Sequence, residues 1–133
     1  MTPRYIYPNQ LREVWEFVKH GLEKVRAKGH DSWIVEDIYC DCFTQKSMLW
    51  VVANDNGDDY GFMVLQPMGT GLHVWAAWLD SNDPEDIIRG FNEVKKIALQ
   101  GGCKKVSFTS VRRGWERLAK KMGCKPSTWE CEL

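Results

Sequence analysis

Residues 72–109, LHVWAAWLDSNDPEDIIRGFNEVKKIALQGGCKKVSFT, contain the pattern that determines the fold class. The segment opens with strand-forming residues, continues after Pro84 with apolar positions at helical spacing, and ends in a short strand after Gly101-Gly102. A strand, a helix and a second strand in this order predict a β-α-β unit, in which the two strands run parallel and the helix crosses over between them.

Two more strands precede this unit. They are MLWVVAN (48–54) and YGFMVLQP (60–67), and the segment between them contains Asn56-Gly57, a strong signal for a hairpin turn. With LHVWAAWL as the third strand, the three consecutive strands predict an antiparallel meander.

Helical patterns lie on both sides of the meander and the β-α-β unit. Apolar positions from Leu11 to Val25 predict a first helix, and the spacing of Ile34, Ile38 and Cys42 predicts a second helix over about residues 34–44. RRGWERLAKKMG (112–123) predicts a last helix and TWECEL (128–133) a last strand. The order α-α-β-β-β-α-β-α-β predicts one α+β domain over residues 1–133, with a mixed sheet and helices on both faces.

Composition excludes several classes of protein. The 133 residues include 44% hydrophobic and 27% charged residues, which is typical of a globular domain. Eighteen basic residues balance eighteen acidic ones, which argues against a nucleic-acid partner. The sequence has neither a long apolar run nor a signal-peptide pattern, so we expect no membrane partner and a cytoplasmic location.

The five cysteines do not form a metal-binding pattern. Cys40 and Cys42 are spaced C-x-C, without the C-x-x-C pairs of a zinc ribbon, and the odd total does not suit a disulfide framework. We expect all five to be small buried apolar residues and predict no metal site.

The order of elements, together with IALQGGCKKVSFTSV (97–111) and RLAKKMGCKPS (117–127), resembles the GCN5-related N-acetyltransferase (GNAT) family over nearly the whole chain. The R-x-G-W pattern at 112–115 and SWIVEDIY (32–39) are similar to GNAT-like proteins of tailed phages, which implies a possible place in a virion.

The resemblance implies a site for acetyl-CoA. In that family the strand corresponding to LHVWAAWL separates from the one corresponding to KKVSFTSV, the acyl-CoA arm inserts between them, and the pyrophosphate lies at the start of the following helix. The cofactor-binding residues implied here are Trp75, Ala77, Trp78, Leu79, Asp80, Arg89, Arg112 and Trp115.

The loop SNDPED (81–86) departs from the family pattern. It has neither glycine nor a basic residue, and its carboxylates, with Asp80 just before them, would repel a pyrophosphate. The alternative is that these acids stabilise the helix start, with Asn82 or Asp83 as the N-cap. The last helix departs too, because Ala119 occupies the place of a tyrosine that protonates the leaving thiolate in many members.

An N-acyltransferase also needs a base that accepts a proton from the amine. The candidate catalytic residues are His73 on LHVWAAWL and the acids Glu36 and Asp37 at the start of the second helix. Each has a purely structural alternative, as a strand histidine or as a first-turn acid.

Two functions therefore remain open. The first is an acetyl-CoA-dependent N-acetyltransferase acting on a small amine or a protein amine. The second is a non-catalytic protein of the same fold that binds a protein partner or forms a homo-oligomer, such as a phage virion component or a phage-host interaction component.

Overall fold

The computed structural model describes residues 1–28, 33–108, 120–121, 123–124 and 129–133. A single 3-10 turn, Pro8–Gln10, precedes the first helix. The elements in chain order are β1 (Thr2–Ile6), α1 (Leu11–Ala27), α2 (Val35–Phe43), β2 (Met48–Ala53), β3 (Asp59–Met68), β4 (Gly71–Leu79), α3 (Pro84–Gln100), β5 (Lys105–Phe108) and β6 (Trp129–Glu132).

The strands form one mixed sheet. Their order is β1-β2-β3-β4-β5-β6, and every neighbouring pair is antiparallel except β4 and β5, which are parallel. The meander is confirmed as β2-β3-β4, and the crossover unit is confirmed as β4-α3-β5.

The predicted order of elements was wrong at the N-terminus, because it began with a helix. Thr2–Ile6 forms β1, which pairs with β2 from Thr2 opposite Ala53 to Ile6 opposite Leu49. Of the predicted helix at 112–123, the structure describes Lys120 and Lys121, both helical, together with Gly123. The rest of that prediction lies outside the described residues.

The sheet separates two apolar clusters, as the alternation along β3 shows. Met63 and Leu65 pack with Phe91 and Val94 of α3, whereas Phe62 and Val64 pack with α1 and α2. Since successive strand residues point to opposite faces, α3 covers one face and α1 with α2 covers the other. Helices on both faces are therefore confirmed.

The hairpin between β2 and β3 has the predicted turn. Gly57 has a φ of 84°, a conformation that glycine adopts without strain. The side-chain oxygen of Asn54 accepts the backbone N–H groups of Asn56 and Asp58, each at 3.0 Å.

The cysteine prediction was only partly right. Cys42, Cys124 and Cys131 are buried, but Cys103 is half-buried and Cys40 is exposed on α2, and all five are free thiols. Burial raises the pKa of Cys42 to about 12, so this thiol stays protonated. In the described part of the chain, no group of three or more His, Cys, Asp or Glu side chains is placed to hold a metal ion.

None of the described helices combines the length and the apolar character needed to cross a bilayer.

Candidate active site

The junction of β4 and β5 is the structural centre of the candidate site. Within the described residues, their parallel pairing runs from Gly71 opposite Lys105 to Val74 opposite Phe108. On the other side of β4, Val64 of β3 pairs with Ala76 and Leu65 pairs with Val74. Trp75 is therefore the extra residue of a β-bulge, directly after the last described pair with β5.

The bulge reverses the direction of the side chains that follow it. Leu72 and Val74 face α3, whereas Ala76 and Trp78 pack on the α1 and α2 side, as does Trp75 itself. A regular strand would place Trp75 and Trp78 on opposite faces.

The two tryptophans of β4 form part of an aromatic wall on the α1 and α2 side. Trp75 meets Trp33 edge to face with ring centroids 6.3 Å apart, and Trp78 meets Phe17 and His20 of α1, each at 5.8 Å. Contacts of this kind are typical of aromatic packing, and they hold the rings of Trp75 and Trp78 in place.

Gly21 allows α1 to approach β4 closely. A Cβ atom at this position would overlap the ring of Phe62 and would lie 2.6 Å from Cε3 of Trp78. Leu79, two residues after the exposed Ala77, faces the other side, where its Cδ1 lies 3.6 Å from a Cβ placed on Gly90 of α3.

His73 lies one residue before the last described pair of β4 and β5. It is half-buried, and its Nδ1 is 2.9 Å from Oγ of Ser107, its pairing partner on β5. Burial lowers the pKa of His73 below its ordinary value, which favours the neutral imidazole. His73 is a candidate base from the sequence alone, whereas Ser107 as its partner is not, because only the register of the two strands brings them together.

The two acids considered as alternative bases lie at the start of α2. Glu36 and Asp37 are both exposed, and Oδ2 of Asp37 accepts the backbone N–H of Ile34 at 2.9 Å. This contact satisfies one of the unpaired donors at the helix start, so Asp37 has a structural role.

The start of α3 is capped by the protein's own carboxylates. Asp83 is the N-cap, and its Oδ1 accepts the N–H of Glu85 at 3.0 Å, which confirms one of the two predicted caps. Oδ2 of Asp86 accepts the hydroxyl of Ser81 at 2.6 Å, and Oδ1 accepts Nη1 of Arg89 at 2.5 Å.

The remaining predicted cofactor residues have different surroundings. The backbone N–H of Asp80 donates to the carbonyl of Tyr60 at 2.7 Å, and its side chain is exposed. Arg112, Trp115 and Ala119 lie outside the described residues.

The C-terminal half of α1 borders a surface depression of about 420 Å³ that the sequence gave no reason to expect. His20, which also contacts Trp78, is one of its lining residues. The others are Glu23, Lys24, Ala27 and Lys28.

Comparison with known proteins places this geometry in a known fold. No family model and no curated protein matches the sequence. An acetyltransferase of the GNAT family from Listeria monocytogenes superimposes with a TM-score of 0.71 at 10% identity, over 99% of this chain and 94% of the other.

Two further solved structures contain the cofactor. The PaiA N-acetyltransferase of Thermoplasma acidophilum in complex with coenzyme A has a TM-score of 0.63 at 10% identity, with 100% of both chains covered. A GNAT family acetyltransferase of Brucella melitensis in complex with acetyl-CoA has a TM-score of 0.68 at 12% identity, over 99% of this chain and 87% of the other. The chain described here has the GNAT acetyltransferase fold.

Proposed function

We propose that this protein is an N-acetyltransferase that takes its acetyl group from a pantetheine thioester such as acetyl-CoA, with His73 as the general base. The observation that carries the proposal is the junction of β4 and β5, where the bulge at Trp75 follows the last described strand pair and His73 lies beside it. Two proteins of this fold that were crystallised with coenzyme A or acetyl-CoA support the choice of donor.

The thioester supplies the electrophilic carbonyl carbon, and the chain supplies the base. In the tautomer that can act, Nδ1–H of His73 donates to Oγ of Ser107, and the lone pair of Nε2 accepts a proton from the attacking amine. The lowered pKa keeps His73 neutral at neutral pH. The leaving thiolate takes its proton from water in this proposal, because Ala119 has no hydroxyl.

His73 is preferred to the acids of α2 because the carboxylate of Asp37 already caps its own helix. Glu36 is exposed and stays a secondary proposal as a group that attracts the amine. The proposed contacts for the pantetheine arm are the β4 residues after the bulge, which are Trp75, Ala77, Trp78 and Leu79.

The resemblance implies four further contacts of the donor outside β4. Asp80 and Arg89 lie where β4 continues into α3, but Arg89 is already paired with Asp86 and Asp80 carries a negative charge, so neither is favoured as a contact of a diphosphate. Arg112 and Trp115 are proposed from the resemblance alone. The acceptor is an amine, either a small molecule or a protein side chain.

An acetyl-transfer assay tests the proposal. The purified protein is supplied with millimolar acetyl-CoA and a panel of polyamines, amino acids and lysine peptides, and free thiol is measured. We expect amine-dependent thiol release that falls by about 10²–10⁴-fold in His73→Gln, the usual contribution of a general base. Glu13→Gln, on the exposed start of α1, is the control. Turnover unaffected by His73→Gln would contradict the role of His73.

A second candidate function is that of a non-catalytic binding protein of this fold. The specific observation in its favour is the start of α3, where carboxylates occupy the position that the resemblance assigns to pyrophosphate. Calorimetry separates the two candidates. Absence of heat with both acetyl-CoA and S-acetyl-pantetheine at millimolar concentration would support the second candidate and contradict the first.

The location follows from the function. The enzyme would act in the cytoplasm, where acyl thioesters are made. The binding protein is proposed to belong to a tailed-phage virion or to a phage-host complex, as a homo-oligomer or with a protein partner. Mass spectrometry of purified particles from the encoding phage tests this, and absence of the chain from the particles contradicts it.

A further inference from the structure

The backbone donors at the start of α3 are already engaged. Pro84 has no N–H, the N–H of Glu85 donates to Oδ1 of Asp83 at 3.0 Å, and the N–H of Asp86 donates to the carbonyl of Asp83 at 3.0 Å. The N–H of Asp83 itself donates to Oγ of Ser81 at 3.2 Å. A helix N-terminus binds a diphosphate through such donors, so here a diphosphate would first have to displace the cap.

The cation of this turn is engaged as well. Nη1 of Arg89 is 2.5 Å from Oδ1 of Asp86, whose other oxygen accepts the hydroxyl of Ser81. The hydrogen bond from Ser81 and the neighbouring guanidinium of Arg89 hold the pKa of Asp86 below its usual range. Asp86 is therefore ionised at neutral pH, and its charge offsets that of Arg89.

The N-terminal ammonium group of Met1 also acts on Asp86, but it already forms an ion pair with Asp55 at 3.3 Å. Apart from Arg89 and this ammonium group, the charges around the turn are negative. Asp80, Asp83 and Glu85 are exposed carboxylates, and none of the three forms an ion pair with another residue that the structure describes. A diphosphate would add like charge beside these carboxylates, and the backbone N–H groups that could bind it are already used. The residues at the start of α3 therefore do not fit this part of coenzyme A. The residues of β4 proposed to contact the pantetheine arm do not repel it in this way, since Trp75, Ala77 and Trp78 are uncharged.

We propose that this protein recognises its acyl donor through the pantetheine arm alone, without a contact between the start of α3 and a diphosphate. The inference rests on the proposed acyltransferase function. It narrows the donor to pantetheine thioesters whose end farthest from the thioester makes no contact with the protein. Acetyl-CoA is then a donor only through the part that it shares with S-acetyl-pantetheine.

Calorimetric titration with acetyl-CoA and with S-acetyl-pantetheine tests the inference on the full chain. We expect the two Kd values to agree within about threefold, or the smaller thioester to bind more tightly, because the diphosphate gains no donors. Added salt should improve the binding of acetyl-CoA, because it screens the repulsion from the carboxylates.

The two ways of failing are distinguishable. If acetyl-CoA binds at least tenfold more tightly than S-acetyl-pantetheine, the inference is overturned while the acyltransferase proposal survives. If neither ligand binds at millimolar concentration, the proposed function fails and the inference fails with it.

Variants of the cap give an independent test. The double variant Asp83→Gly with Asp86→Asn frees the N–H of Glu85 and releases Arg89. We expect it to bind acetyl-CoA about tenfold more tightly, with its affinity for S-acetyl-pantetheine unchanged, since a new charge-assisted contact to phosphate forms. An unchanged affinity for acetyl-CoA would overturn the inference.

Two controls separate charge from blocked donors. Asp83→Asn removes the charge but retains an N-cap oxygen, so it should produce a smaller gain than the double variant. Glu13→Gln removes an acid from the first turn of α1 and should leave both affinities unchanged, because that acid is not at the start of α3.

Discussion

His73 combines partial burial with a polar neighbour, and burial is the feature that affects folding. Its pKa is lowered in the folded state, because the charged imidazolium is less well solvated there. Between the folded pKa and the unfolded value of about 6.5, the unfolded chain binds more protons than the folded chain. The contribution of His73 to the free energy of unfolding is thus fully present above the unfolded pKa, and it is lost as the pH falls to the folded pKa.

The first prediction is a difference in acid sensitivity. From about pH 7 to about pH 5, the free energy of unfolding of the wild type should fall more than that of His73→Gln, which has no titrating group at this position. Urea denaturation at several pH values measures the difference. Parallel pH profiles for the two proteins would show that burial of His73 does not penalise its charged form.

Ser107 is a positioning residue, since it acts through His73. In Ser107→Ala, Nδ1 loses its partner, and the tautomer with a free Nε2 is no longer favoured. We expect turnover to fall by about 2–10-fold, the equivalent of one hydrogen bond, with KM little changed. Ser107→Thr restores the hydroxyl and should restore turnover. If Ser107→Ala also raises KM in proportion, Ser107 contacts a substrate instead.

Of this pair, His73 could be identified from the sequence and Ser107 could not. A histidine on a strand stands out because it is titratable, so His73 could be selected from the sequence. Ser107 could not be selected in this way, since the pairing of His73 opposite Ser107 depends on the register of two strands, and the two residues are 34 positions apart in the chain.

At the scale of elements, the packing of α1 on the sheet depends on one missing side chain. Gly21 faces Phe62 and Trp78, whereas Gly90 of α3 faces Leu79 with space for ordinary contact. Both glycines lie within helices, where alanine is the better helix former by about 1 kcal/mol. A change from glycine to alanine at the two positions therefore has the same effect on helix propensity, and a difference in stability between the two variants reports on packing.

The third prediction compares the two substitutions. Gly21→Ala should lower the free energy of unfolding by about 1–3 kcal/mol, because the new methyl group overlaps the rings of Phe62 and Trp78. Gly90→Ala should be neutral or stabilising by up to about 1 kcal/mol. Urea midpoints of the two variants provide the measurement. Equal effects of both substitutions would mean that α1 can move away from β4 without cost.

The missed strand β1 shows where a local pattern carries too little information. Pro3 interrupts the alternation, and Ile6 is the one buried residue of Thr2–Ile6, so no apolar face is visible in the sequence. The strand is defined by its pairing with β2, whose residues are 43 positions away at Ile6 opposite Leu49 and 51 positions away at Thr2 opposite Ala53. Its position at the edge of the sheet is also where proline is tolerated.

The bulge at Trp75, like β1, is defined by pairing with another strand and not by a local sequence pattern. Neither Val74 nor Ala76 differs from ordinary strand residues, and the extra residue is defined only by the register against Val64 and Leu65 of β3. By contrast, α3 was predicted at its observed start because Asp83, Pro84 and the acids after them are local signals for a helix N-terminus.

At the scale of the whole molecule, a single sheet supports both apolar clusters. Leu22 is fully buried in the cluster under α1 and α2, and Leu72 is 2% exposed in the cluster under α3. Because β3 and β4 contribute side chains to both clusters, loss of one cluster removes support from the other. The proposed single domain of residues 1–133 therefore has a direct physical test.

The fourth prediction is cooperative unfolding in variants of either cluster. Leu22→Ala and Leu72→Ala should each lower the free energy of unfolding by about 2–5 kcal/mol, through lost burial and a residual cavity. In both variants the far-UV circular dichroism and tryptophan fluorescence transitions in urea should coincide, as expected of a small two-state domain. Most of the described tryptophans lie in the cluster of α1 and α2, and Trp50 packs in the cluster of α3, so fluorescence reports mainly on the α1 and α2 side. Circular dichroism also reports on α3. If Leu22→Ala shifted the fluorescence transition alone, the two faces of the sheet would be separate folding units, because α3 and its strands would then persist without α1.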